Sequence, residues 1–261
     1  MKRIAVISAK GGVGKTTATA NLTIALAAAG HHAVALDLDP QNALRLHFGI
    51  DPSSIEGIAR ASLGGRTWGE VAVKVKHGAY CLPFGSINEN DRHSLESRLY
   101  EDDDWLLDNL ETLGLPEDCI VLIDTSPGAS VYLRQVLARA HFALSVILPD
   151  AASYATIPAI EGLHQTYCSN RPDFIGARYL INQIDQTNSL SRSMADVLQL
   201  RLGDLVIGKI HRDQAVSEAL AFQQDVLEYD PYSQSTKDFV VLAEQIFEAV
   251  NSRSLDRQGQ L

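Results

Sequence analysis

The segment that most constrains this chain is Lys10-Gly11-Gly12-Val13-Gly14-Lys15-Thr16-Thr17. It lies between the apolar burst Ile4-Ala5-Val6-Ile7 and an Ala-rich helical run from Thr16 to Ala29 that Gly30 stops. Glycines let the backbone turn tightly enough for successive N–H groups to converge on one point. The start of the following helix adds the positive end of its dipole there. A strand–loop–helix of this kind holds phosphate. Aligned on Gly14-Lys15-Thr16, the pattern G-x-x-x-x-G-K-[ST] begins at Ala9 instead of glycine, so the loop is a variant with Lys10 in second position. Lys15 can reach the β- and γ-phosphates of ATP, and the Thr16 hydroxyl can ligate Mg²⁺. The backbone of Gly11, Gly12, Val13, Gly14 and Thr17 surrounds the phosphates.

Short β-forming runs alternate with helical stretches along most of the chain. They are Val34-Ala35-Leu36, Ile120 to Ile123, Leu144 to Leu148, Tyr179-Leu180-Ile181 and Leu205-Val206-Ile207. Strands apolar on both faces and separated by helices predict an α/β fold, a doubly wound and mostly parallel sheet covered on both sides. The middle, from Ile50 to Pro116, is less regular. Val71 to Val75 alternates like an edge strand, Tyr80 to Gly85 reads as a strand entering a turn, and Leu95 to Leu113 carries helical spacing. A last helix is predicted over Thr236 to Val250 with an apolar stripe. With no repeat and no linker, one domain over 1–250 and a polar, frayed tail over 251–261 is the simplest organisation.

Composition narrows the function. Net charge is −10, from 22 Lys+Arg against 32 Asp+Glu, and the basic residues are scattered. Nonspecific DNA binding draws on a cationic footprint, so DNA is disfavoured as a partner. The acidic run Glu101-Asp102-Asp103-Asp104 reads as a solvated loop or a helix start. No apolar run of eighteen residues occurs, and Met1-Lys2-Arg3 leads straight into a strand without a signal-peptide pattern. Three scattered cysteines suit a reduced compartment. The expectation is a soluble, cytoplasmic chain. Trp68 and Trp105 read as packing anchors, and no histidine spacing suggests zinc or a catalytic triad.

The loop resembles the deviant Walker A motif KGGVGKT of the ParA and MinD partition and positioning ATPases, a P-loop NTPase family. The resemblance implies an ATP-dependent homodimer in which Lys10 reaches the phosphates bound by the other subunit. Asp37-Leu38-Asp39-Pro40-Gln41 resembles the family's switch I, where Asp39 would orient the attacking water near Mg²⁺; the same carboxylate would also suit a helix cap. Ile120 to Asp124, continuing through Thr125-Ser126-Pro127-Gly128, resembles Walker B and switch II. Asp124 would hold Mg²⁺ through a water, and the Pro127-Gly128 backbone would sense the γ-phosphate. Asn182 matches the family's adenine-reading Asn, or else simply makes a turn. Ile210-His211-Arg212-Asp213 matches the loop I-P-R-[ND], with His211 in place of proline; Arg212 would stack on the base or pair with Asp213.

Among the family's branches, the chain is most similar to the cellulose-synthase-associated ATPases, the BcsQ family. That similarity rests on Leu44-Arg45-Leu46, Gly65-Arg66-Thr67-Trp68, Leu82-Pro83-Phe84-Gly85 and the stretch His211 to Leu220. It implies a cytoplasmic accessory subunit of the cellulose secretion machinery, recruited to the inner membrane through protein partners and not itself inserted. Slow hydrolysis would control a sandwich dimer. The alternatives are a partitioning ATPase and a nucleotide-locked scaffold dimer with little turnover.

Overall fold

The computed structural model describes residues 1–251. The chain runs β1 (Lys2–Ile7), α1 (Lys15–Ala28), β2 (Ala33–Leu38), α2 (Ile58–Leu63), β3 (Val73–Lys74) and β4 (Tyr80–Leu82). It continues through α3 (Glu89–Glu101), α4 (Trp105–Glu111), β5 (Ile120–Thr125), α5 (Val131–Arg139), β6 (Phe142–Ile147) and α6 (Ala151–Tyr167). It ends with β7 (Gly176–Ile184), α7 (Ser189–Leu202), β8 (Val206–His211), α8 (Gln214–Ala221), α9 (Val226–Tyr229) and α10 (Gln234–Asn251).

The eight strands form one sheet in the order β3-β4-β2-β5-β1-β6-β7-β8, parallel throughout except for the β3–β4 pair. β1 lies near the middle, and its side chains alternate between two cores. Ile4 and Val6 pack with residues of α1, α8 and α10, whereas Ala5 and Ile7 face the cluster built by α2 to α7. This is the doubly wound arrangement that the alternation of apolar bursts predicts.

Several local expectations change. Leu95 to Leu113 is two helices, because Asp102-Asp103-Asp104 breaks the run between α3 and α4. The break is held from α5. Arg134 pairs with Asp103 at 2.8 Å and Arg139 with Asp104. The buried Gln135 amide donates to Leu99 O (2.7 Å) and Asp102 O and accepts from Leu106 N. Val71 closes a 3₁₀ turn, which leaves only Val73–Lys74 as edge strand. The last strand extends to His211, so Ile210 and His211 belong to β8 and not to the loop after it. Asn182 lies inside β7 and does not end it; Gln183, at φ 59°, makes the local irregularity. α10 buries Phe239, Leu242, Ala243, Ile246 and Val250 against the sheet. Of the predicted tail, Asn251 closes α10 and 252–261 lie outside the described residues. Trp68 is fully buried and meets Trp105 edge to face, 5.1 Å between centroids.

Candidate functional site

At the C-terminal ends of β1, β2 and β5, parallel register sets Val6 and Asp37 on either side of Asp124. Crevices at this end of an open parallel sheet are where ligands bind. The glycine loop follows β1, with Gly12 at φ 74° and Gly14 at φ 88°. Gly14 occupies the N-cap of α1 without a side-chain cap, so the first N–H groups of the helix are offered to a ligand.

Lys15 is buried and donates to Ser8 Oγ (2.9 Å). Burial lowers its pKa, while the charges of Asp124 and Asp39 act in the opposite sense. Thr16 Oγ1 donates to Asp124 Oδ2 at 2.6 Å. The other oxygen, Asp124 Oδ1, is buried with no hydrogen-bond partner. Burial pushes this carboxyl up to about 7, against the Thr16 hydrogen bond and the Lys15 charge, which lower it. Asp37, fully buried beside it, is raised well above the usual carboxylate range by burial and by Asp124, and accepts from Asp39 N (2.9 Å) and Leu44 N (3.1 Å). Asp39 accepts from Gln41 N (3.0 Å), and its charge is felt at both Lys15 and Asp124. A hydroxyl and an orphaned carboxylate oxygen, with Asp39 close by, are hard oxygen donors that fit a divalent cation such as Mg²⁺.

The segment after β5, through Pro127 and Gly128, packs on the loop. Gly128, at φ 76°, donates its N–H to Ser8 O (3.3 Å), and a Cβ on Gly11 would stand 3.7 Å from Pro127 Cγ. Lys10 reaches Asp150 of its own chain, Nζ to Oδ2 3.1 Å, and Asp150 also caps α6 by accepting from Ser153 N.

Beyond the loop opens a cleft of about 330 Å³ lined by Gly14, Thr17, Asn182, His211, Arg212 and Phe239, among others. Asn182 is buried, and its Nδ2 donates to Val13 O (2.8 Å). Its amide thus props the phosphate loop from β7, and a Cβ at Gly14 would collide with it at 2.4 Å. Arg212 is largely exposed and pairs with Asp185 Oδ2 at 3.5 Å. It does not pair with Asp213, whose carboxylate accepts from Ala215 N and Ser235 N to fix the start of α8. His211, standing where proline is usual, donates its N–H to Asp238 Oδ2 and sets its ring Nδ1 on the same oxygen, both at 2.8 Å. Proline could not make the first bond.

The structure thus gathers Lys15, Thr16, Asp39 and Asp124 at one point and Asn182 and Arg212 at the cleft beside it, with Lys10 apart on Asp150. Sequence reasoning gave no role to Ser8, Asp37 and Asp150. Asp37 carried a signal, a second carboxylate at a strand end two residues before Asp39. Ser8 and Asp150 become partners of the lysines only through the fold.

The sequence profile described as "Cellulose biosynthesis protein BcsQ" matches residues 1–247. The "Cellulose biosynthesis protein BcsQ" of Escherichia coli (strain K12) is 33% identical over 241 residues, spanning 90% of this chain and 89% of that one. The "Chromosome partitioning protein ParA" of Caulobacter vibrioides (strain NA1000 / CB15N) is 29% identical over 275 residues, spanning 100% and 97%. Among solved structures, the septum site-determining protein MinD of Pyrococcus horikoshii OT3, complexed with Mg-ADP, matches with a TM-score of 0.77 over 97% of this chain and 98% of that one, at 20% identity. That likeness establishes the fold, and the profile match establishes the branch: a ParA/MinD-type P-loop protein, the chain belongs to the BcsQ family of cellulose biosynthesis proteins.

Proposed function

We propose that this chain binds ATP with Mg²⁺, pairs with a second copy around two nucleotides, and serves the cellulose secretion machinery as an accessory subunit that hydrolyses ATP slowly. The observation that carries the reading is the unpartnered, buried Asp124 Oδ1 beside the Thr16 hydroxyl, under a glycine loop that ends in an uncapped helix. A fully buried carboxylate oxygen without a partner is costly, and a cation held there removes the cost. Thr16 and Asp124 would hold Mg²⁺, with Asp39 near it, and the ion would neutralise charge on the β- and γ-phosphate oxygens.

The chain's own groups do the rest. Lys15 places a buried cation at the phosphates, and the backbone of Gly11 to Thr17 donates to their oxygens. Asp39 orients the attacking water. Asn182 and Arg212 flank the base. Lys10 leaves Asp150 to offset charge on the partner's phosphates, where phosphoryl transfer builds negative charge. Residues 1–250 act as one domain. Among the described residues no helix is long and apolar enough to cross a membrane; a cytoplasmic location with recruitment to the inner membrane through protein contacts is part of the same proposal.

Calorimetry of ATP binding with and without Mg²⁺, run beside light scattering and phosphate release, tests the reading. Mg²⁺-dependent binding with ATP-dependent dimers and slow turnover is the expected result. Dimers without turnover would make the protein a locked scaffold. No nucleotide binding at all would overturn the proposal.

A further inference from the structure

The two edges of the sheet are unlike. Among the described residues, one ends in β3, two residues long; the other ends in β8, six residues long and paired on one side only, with β7. Very short edge strands are a common guard against stray pairing, and β8 lacks that guard. A groove of about 360 Å³ touches Val206, Ile207, Gly208 and Lys209 in succession. β8 carries an extra residue between Val206 and Gly208, but Gly208 and Lys209 are regular neighbours that face opposite sides of the sheet, so a groove that meets both lies along the hydrogen-bonding edge. The backbone agrees. Arg212 donates its N–H inward to Ile184 O (2.9 Å), whereas His211 donates outward to Asp238 Oδ2 of α10 (2.8 Å). Asp238 therefore closes the edge at one end, and by alternation the N–H and C=O of Lys209 face the open groove.

The surroundings of the groove have a definite character. Val241 of α10, which lines the groove, is 53% exposed. The cations at the groove are Lys209 and Lys237, both exposed. Among the described residues that line it, the only carboxylate, Asp238, is occupied by His211 and by Gln234 Nε2. We propose that the open edge of β8 accepts an extended, acidic segment of a partner protein as an added strand. Main-chain hydrogen bonds to Lys209 and its neighbours would supply affinity, an apolar side chain would cover Val241, and carboxylates would meet Lys209 and Lys237. A second copy of this chain fits worse. Two β8 edges related by a two-fold axis would bring the lysines of each copy toward those of the other.

The probe is a capped peptide of about eight residues alternating valine and glutamate, compared with its valine–lysine counterpart and with a glutamate version N-methylated at alternate backbone amides. The full chain is titrated by fluorescence anisotropy while hydrogen exchange follows the Lys209 amide. The glutamate peptide should bind at least about tenfold tighter than the lysine peptide and protect the Lys209 amide, and N-methylation should abolish binding. The double variant Lys209→Glu/Lys237→Glu should reverse the charge preference. If that variant does not fold, the three peptides on the parent chain still decide. Equal binding of both charges, undiminished binding of the N-methylated peptide, or concentration-dependent protection of Lys209 in the chain alone would overturn the proposal; the last would make a second copy the occupant.

Discussion

Lys15, Asn182 and Gly14 form the tightest unit of the site, and each fails in its own way. Lys15→Ala removes the buried cation aimed at the phosphates and should weaken ATP binding by about a hundredfold or more, read by calorimetry. Asn182→Ala acts twice. It strips the cleft of its amide and leaves Val13 O without the donor it now has, so the protein without nucleotide should lose about 1–3 kcal/mol in urea unfolding as well as ATP affinity. A base-reading residue that did not prop the loop would leave stability alone, so the paired measurement separates the two roles. Gly14→Ala combines a φ of 88° with a clash at 2.4 Å and should eliminate binding.

Between elements, the α3–α4 break shows what could and could not be read in the sequence. The phosphate loop, β1, α1, the buried strands and the D-x-D carboxylates were legible because each is a local pattern: glycines at a turn, continuous apolar runs, acids at strand ends. The break was legible only in part: the acidic run Glu101 to Asp104 reads as a solvated loop or a helix start, but the leucine spacing from Leu95 to Leu113 continues through it, and the residue that holds the break open, Gln135, lies in another helix. The length of β8 was missed for a related reason, since Gly208 and Lys209 interrupt the apolar run while tertiary pairing carries the strand to His211. Gln135→Leu should therefore cost about 2–4 kcal/mol by stranding Leu99 O, Asp102 O and Leu106 N, measured by denaturant unfolding. α6 offers a pH test. His164 faces Ser145 of β6, and burial lowers its pKa to about 4 from an ordinary 6.5. It is neutral when folded and charges on unfolding, so its contribution is complete above about pH 6.5 and is lost as pH falls toward 4, at up to about 1.4 kcal/mol per pH unit. His164→Gln removes that slope. The stability gap between parent and variant should narrow between pH 7 and pH 5.

For the whole molecule, the proposed dimer requires Lys10 to leave the Asp150 it pairs with in its own chain. Lys10→Ala should bind ATP as a monomer yet fail to dimerise, because two triphosphates would face each other less neutralised. Asp39→Ala should dimerise in ATP without turnover. Light scattering beside a phosphate-release assay reads both; normal dimers of the Lys10 variant would sink the sandwich mechanism and leave the fold untouched. With net charge −10, the ATP-bound protein should bind random duplex DNA no tighter than roughly 10⁻⁴ M at physiological salt. Micromolar, salt-sensitive, ATP-dependent binding by anisotropy would favour a partitioning role.

The strand order has a consequence for how the chain is made. β1 is synthesised well before the strands that flank it in the sheet, β5 and β6, which begin at Ile120 and Phe142. At about 5–20 residues per second, an emerging β1 waits on the order of ten seconds for either neighbour. The loop it carries waits longer still, since the amide that props Val13 belongs to Asn182. On the ribosome, then, a nascent chain presents an unpaired apolar strand until β5 emerges, and under the proposed function it should gain nucleotide binding only once Asn182 has emerged. Chains stalled before β5 should stay chaperone-bound, whereas chains stalled between β6 and β7 should be released from chaperone and still be nucleotide-free.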